Sequence, residues 1–147
     1  MTTFYSFIIR FGNALQPLLL LAIRLYWGIA FIQTGLGKFH NHQMVVEFFQ
    51  SLSIPYPKAQ AYLVACLETV GGLCLAIGFG ARLMSIPLIV ILCTALATAH
   101  KEALIHIFQD PETFISQAPF NFLLASLIVF CFGPGFFSID RFFTRNV

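Results

Sequence analysis

Four stretches of this chain are long, apolar and almost free of charge, and they limit what it can fold into. They fall at 15–37, 60–80, 83–100 and 119–137. An α-helix rises about 1.5 Å per residue, so about 20 apolar residues cross a hydrocarbon layer about 30 Å thick. Each run is at or near that length. Arg24 is the only charge in the first run and Glu68 the only charge in the second, while the other two carry none. Apolar side chains lie nearly all round these helices, which suits segments facing lipid and one another. The pattern predicts an all-α fold, an integral-membrane four-helix bundle forming a single membrane domain over 1–147. The first run is too long for a signal-peptide core and carries Arg24 inside it, so it is expected to stay. Pro17 is placed at a helix start, where its missing N–H costs little.

Composition agrees. Hydrophobic residues are 59% of the chain and charged residues 10%, against about 25% charged in a typical soluble domain. This excludes an ordinary soluble enzyme, whose surface needs more polar cover, and a disordered chain, which needs low hydrophobicity. A net charge of +2, scattered along the chain, gives no nucleic-acid footprint. Cys66, Cys74, Cys93 and Cys131 sit in apolar runs without a CxxC pair and are expected as buried free thiols, which argues against thiol-exchange chemistry. No phosphate-binding glycine loop, HExxH or GxSxG occurs, so nothing points to nucleotide or hydrolytic chemistry.

Two connections exceed simple turns. The segments 41–58 and 101–118 mix apolar and polar residues, with Pro55, Pro57 and Pro111 as breaks, and are expected to lie in the membrane interface. With four spans both termini share a side. Arg10, Arg82, Arg141 and Arg145 fall there, against Lys38, Lys58 and Lys101 opposite; this places the termini in the cytoplasm by the positive-inside rule.

Charges inside hydrocarbon cost about 2.5–3.5 kcal/mol each on insertion scales and turn toward the bundle interior. Arg24, Gly28, Phe31, Gly35 and Lys38 share one face of the first span, and Glu68, Gly72, Leu75, Phe79 and Arg82 share one face of the second. With Gly71, these glycines let neighbouring backbones approach. By helical rise Glu68 lies about 9 Å below Lys38 and about 12 Å above Arg24, within snorkelling reach of either. Gln33, Thr34, Thr98, His100 and Asn121 fall near the same level. Two readings stand side by side: a structural Arg/Glu pair with hydrogen-bonded glue, or a ligand, proton or redox site. In the second, Glu68 and His100 are the catalytic candidates and Arg24, Gln33, Lys38, Thr98 and Asn121 the ligand-binding ones. Gly28, Gly35, Gly71, Gly72 and Arg82 are structural in both. All four histidines, His40, His42, His100 and His106, fall on one side of the membrane; they read either as solvated or interfacial imidazoles or, if they converge with a carboxylate, as a copper or zinc site.

The combination Arg24-Leu25, Gly28, Phe31, Gly35 and Lys38, then Ile54-Pro55-Tyr56-Pro57 and Glu68-x-x-Gly71-Gly72, resembles the DoxX family of small bacterial membrane proteins. Gly78-x-x-x-Arg82, Gly133-Pro134-Gly135 and Ser138-x-Asp140 extend the resemblance over nearly the whole chain. It implies a multi-pass protein of the bacterial inner membrane. It also implies kinship with a membrane subunit of thiosulfate:quinone oxidoreductase, hence with the quinone pool. Other members accompany oxidative-stress enzymes or genes for copper-binding peptides.

Three functions follow as expectations: a quinone-interacting or accessory subunit of a membrane redox system; copper handling or small-solute transport; or a structural subunit without its own chemistry. The chain shows no electron carrier of its own, so the first calls for bound quinone or a protein partner subunit. Besides the lipid bilayer, a partner subunit or a homo-oligomer is expected.

Overall fold

The computed structural model describes residues 2–140, and all regular structure there is helical: α1 (Thr2–His40), α2 (His42–Ser51), α3 (Pro57–Ile77), α4 (Ala81–Thr98), α5 (Lys101–Ile105), α6 (Pro111–Ile115) and α7 (Ala118–Phe132). Arg141 and Arg145 of the charge comparison lie outside the described residues. Helices α1, α3 and α4 are each long and apolar enough to cross a membrane, and α7 is apolar but has 15 residues. The chain is thus an all-α, multi-span membrane-helix bundle.

Two boundaries differ from those expected. Helix α1 runs for 39 residues, with Pro17 inside it and not at its start, and is about 58 Å long. Upstream of Pro17 the polar residues Ser6, Arg10 and Asn13 recur at helical spacing among phenylalanine and isoleucine, so the amphipathic pattern carries the helix on. Residues 4–16 are exposed, and the bundle grips α1 from Leu20 onward. At the other end α7 stops at Phe132, five residues short of the expected limit. Gly133 takes φ +77°, and Pro134 has no N–H to continue the ladder.

Glycines set the tightest seam. A Cβ on Gly28 would lie 2.8 Å from both the Gly72 carbonyl oxygen and the Ala76 nitrogen, and one on Gly35 would lie 2.7 Å from the Thr69 nitrogen. α1 and α3 therefore meet backbone to backbone. Gly71 turns the other way, toward Leu88 of α4. Leu88 and Leu92 of α4 join Val129 of α7, Leu75 and Phe31 in one buried cluster. The α1–α7 seam is aromatic: the Phe122 ring lies 4.9 Å from Trp27 and 4.5 Å from Phe31, centre to centre.

One end of the bundle is bolted shut. Helix α3 ends at Gly78 in the left-handed region (φ +72°), which leaves its last carbonyls with acceptor capacity that the helix does not fill. The buried Arg24 guanidinium serves them, donating from Nε to the Leu75 oxygen (2.9 Å) and from Nη2 to the Ala76 oxygen (3.0 Å). Its Nη1 donates to the carbonyls of Pro134 and Phe137, tying the segment after α7 to the same point. Asp140 completes the closure, since its carboxylate accepts from the Gly80 and Ala81 N–H groups at the start of α4.

The cysteines correct the sequence expectation. All four are free, but Cys66, Cys93 and Cys131 lie on the outer surface and Cys74 is half-buried. Helices apolar all round do not announce which face is inward.

Candidate functional site

At the end opposite Arg24 the helices part around a cavity of about 710 Å³. Its floor is Phe31, Leu92 and Phe122. The short link 78–80 holds α3 and α4 together at one end, and the cavity begins where they have run some way from it. Glu68 and Val90 are each ten residues from that link, about 15 Å along the helix, and Gln60 and Thr98 are eighteen residues from it, about 27 Å. Helix α2 and the turn after it roof the space with Val45, Phe49 and Ile54. That turn is held by two non-glycine residues at positive φ, Ser53 (57°) and Tyr56 (51°). Pro57 begins α3 at the position where a helix accepts proline.

An ion pair is set into this wall. Lys38 Nζ lies 2.5 Å from Glu68 Oε2, with side-chain exposures of 27% and 9%. Of the two cations within reach of Glu68 by helical rise, the structure pairs it with Lys38, while Arg24 is saturated by backbone carbonyls. Both partners of the pair line the cavity, so together they present a neutral, strongly dipolar patch. Thr34 and Thr98 line it too. Their hydroxyl protons go to the Phe31 and Thr94 carbonyls of their own helices, which leaves oxygen lone pairs to accept hydrogen bonds. His100 and Gln60 add groups that both donate and accept.

Several sequence candidates lie elsewhere. Arg24 is at the bolted end, away from the cavity, and serves as a clamp. Gln33 is exposed on the outer face of α1. Asn121 Nδ2 donates to the Ile115 and Gln117 carbonyls, steadying the α6–α7 turn. Arg82 reaches the Cys131 carbonyl oxygen at 3.4 Å, linking α4 to α7. The expected convergence of His40, His42, His100 and His106 does not occur: among the described residues no three His, Cys, Asp or Glu side chains are placed to share a metal ion. His40 leans on the Leu36 carbonyl, His106 contacts Gln109, and His42 stacks on Tyr62 with ring centres 3.8 Å apart. Gln60 and the α2 roof were missed by the sequence analysis. The amphipathic pattern of α2 was visible, but not that its apolar face covers a cavity.

The described residues thus define a class by architecture: a membrane-helix bundle in which a half-buried ion pair opens on a largely apolar cavity. Residues 19–101, more than half the chain, match the DoxX family, and the chain belongs to it. It is also similar to "Putative oxidoreductase CatD" of Bacillus subtilis (strain 168), with 28% identity over 124 residues that cover 83% of this chain and 84% of that protein. No solved structure matches.

Proposed function

We propose that this protein binds a quinone in the cavity beside Lys38 and Glu68 and serves a membrane redox system as a quinone-interacting or accessory subunit. The observation that carries this is the ion pair in the wall of a largely apolar cavity. The volume lies within the range of small-molecule sites, about 300–1,000 Å³. The aromatic floor suits a flat ring. Lys38 Nζ can donate to one ring carbonyl and His100 to the opposite one, while the Thr34 and Thr98 lone pairs can accept from the hydroxyl groups of the reduced form. Because Glu68 already compensates the Lys38 charge, the pair offers an anionic ligand no net attraction to offset its desolvation. When bound, a quinone supplies two-electron, two-proton redox chemistry. Glu68 Oε2 already accepts from Lys38, which leaves Oε1 as the carboxylate oxygen to take up or pass a proton. The similarity to a protein named as an oxidoreductase supports the same reading. The proposal extends to a bacterial inner (cytoplasmic) membrane setting, with α7 as the fourth span, the termini cytoplasmic and a partner subunit supplying the electron donor.

The test is to purify the protein in mild detergent and quantify quinone in its organic extract, for wild type and Glu68→Gln. Near-stoichiometric quinone in the wild type, depleted in the variant, is the expected result. Equal traces in both would refute the reading.

A further inference from the structure

We infer that the ligand reaches this cavity sideways from the lipid, through a portal between α3 and α4 framed by Leu63, Val90 and Thr94. The inference rests on the quinone reading for the identity of the ligand but not for the position of the portal. Four seams enclose the bundle, and three are tightly packed below the cavity, although Thr34 of α1 also lines the cavity and is exposed. The α1–α3 seam has glycine backbones in contact. The α1–α7 seam is filled by Trp27, Phe31 and Phe122, and the α4–α7 seam is packed through Leu88, Leu92 and Val129. Between α3 and α4 the chain closes at the 78–80 link and at Gly71 against Leu88; beyond these points both helices turn cavity-lining residues outward. Leu63 is 52% exposed and Val90 58% exposed, although both line the cavity.

Depth decides what those residues face. Val90 is eight residues from Arg82, about 12 Å, and Thr94 is twelve, about 18 Å, along a hydrocarbon layer of about 30 Å. A gap at that depth opens onto acyl chains, and water-soluble ligands would have to cross the roof formed by α2 instead. The ligand class follows: a molecule dissolved in the bilayer, with an apolar body that slides between α3 and α4 and a neutral head that ends at Lys38 and Glu68.

The protein contains one tryptophan, and Trp27 touches Phe122 of the cavity floor, so decylubiquinone supplied in phosphatidylcholine nanodiscs should quench its fluorescence on binding. Val90→Phe narrows the portal and is expected to slow quenching about tenfold, within the usual spread of association rates among variants of one site. Val90→Ala widens it and should quench at least as fast as wild type, which guards against a folding defect. Leu73→Phe, on the outer face of α3 away from the cavity, is the control for added surface bulk. Spin labels at Leu63→Cys and Thr94→Cys in a cysteine-free background give an independent measure, with greater collision with oxygen than with a water-soluble nickel chelate expected. Slowing by Ser53→Phe in the roof with no effect of Val90→Phe, or dominance of the nickel chelate at both labels, would overturn the portal. Absence of quenching in the wild type with both labels in lipid would sink the quinone reading and leave the portal supported.

Discussion

Replacing Arg24 with methionine separates a clamp from a ligand residue. The guanidinium is 1% exposed and donates to four carbonyl oxygens, of Leu75, Ala76, Pro134 and Phe137. Hydrogen bonds to a charged group contribute about 1.5–3 kcal/mol each, so their gross sum is about 6–12 kcal/mol. Two effects reduce it. The Leu75 oxygen also accepts from the Gly78 N–H at 3.2 Å, and methionine removes the cost of burying a cation. The net loss should be about 3–5 kcal/mol, because the carbonyls left without a donor cost about 1–3 kcal/mol each. For a chain of this length that lowers Tm on the order of 10 °C. Arg24→Lys should recover less than half, because a compact ammonium with three donors cannot span a site cut for a planar fork with five. The assay is thermal unfolding in detergent followed by Trp27 fluorescence, with quinone content measured well below Tm. A clamp predicts lower Tm and retained quinone, the reverse of Glu68→Gln. Unchanged Tm with lost quinone would refute the clamp and return Arg24 to the ligand site.

Gly28→Ala forces a Cβ to 2.8 Å from backbone atoms of α3 and should destabilise the bundle by about 1–3 kcal/mol, whereas Gly37→Ala, with open space around it, should be neutral or stabilise by up to about 1 kcal/mol; paired melts decide. Asp140→Ala removes the acceptor for two N–H groups at the start of α4 and should raise hydrogen exchange at Gly80 and Ala81 while leaving α2 unchanged. Hydrogen bonds from the Thr113 hydroxyl and the Thr113 N–H hold the Asp110 carboxyl below its ordinary value of 3.8. A lowered carboxyl pKa stabilises the folded form above the ordinary value and loses that contribution as pH falls through the lowered one. Amide protection at Thr113 should therefore persist at pH 5 and fade only in more acidic solution, and Asp110→Ala should abolish it throughout.

Much of the architecture was legible because hydrocarbon is an unforgiving solvent: helices of this length, and two charges within them, leave few arrangements. The paired glycine faces likewise announced close backbones. The partner of Glu68 was not legible, since helical rise left Lys38 and Arg24 at similar distances and only the lateral placement of helices chooses. Arg24 binds backbone carbonyls, which carry no side-chain signature; its nearest hint was the glycines and proline that bring those carbonyls together. Gln33 has the right depth but sits about 100° round the helix from Thr34, enough to move it from cavity to exterior. The histidines share a side of the chain without sharing a place. Whether α2 lies flat or roofs a cavity depends on the Ser53–Tyr56 turn, whose positive-φ residues are not the glycines that such a conformation advertises.

The unequal ends of α3 and α4 bear on how the molecule moves. At the link, glycine geometry, Arg24 and Asp140 hold both helices through hydrogen bonds to backbone groups. Toward Gln60 and Thr98 they are held mainly by side chains lining a space. Opening energies should then rise steadily from the roof to the link. The pair would behave like tweezers pinned at the base, whose tips part for a passing molecule without disturbing the hinge.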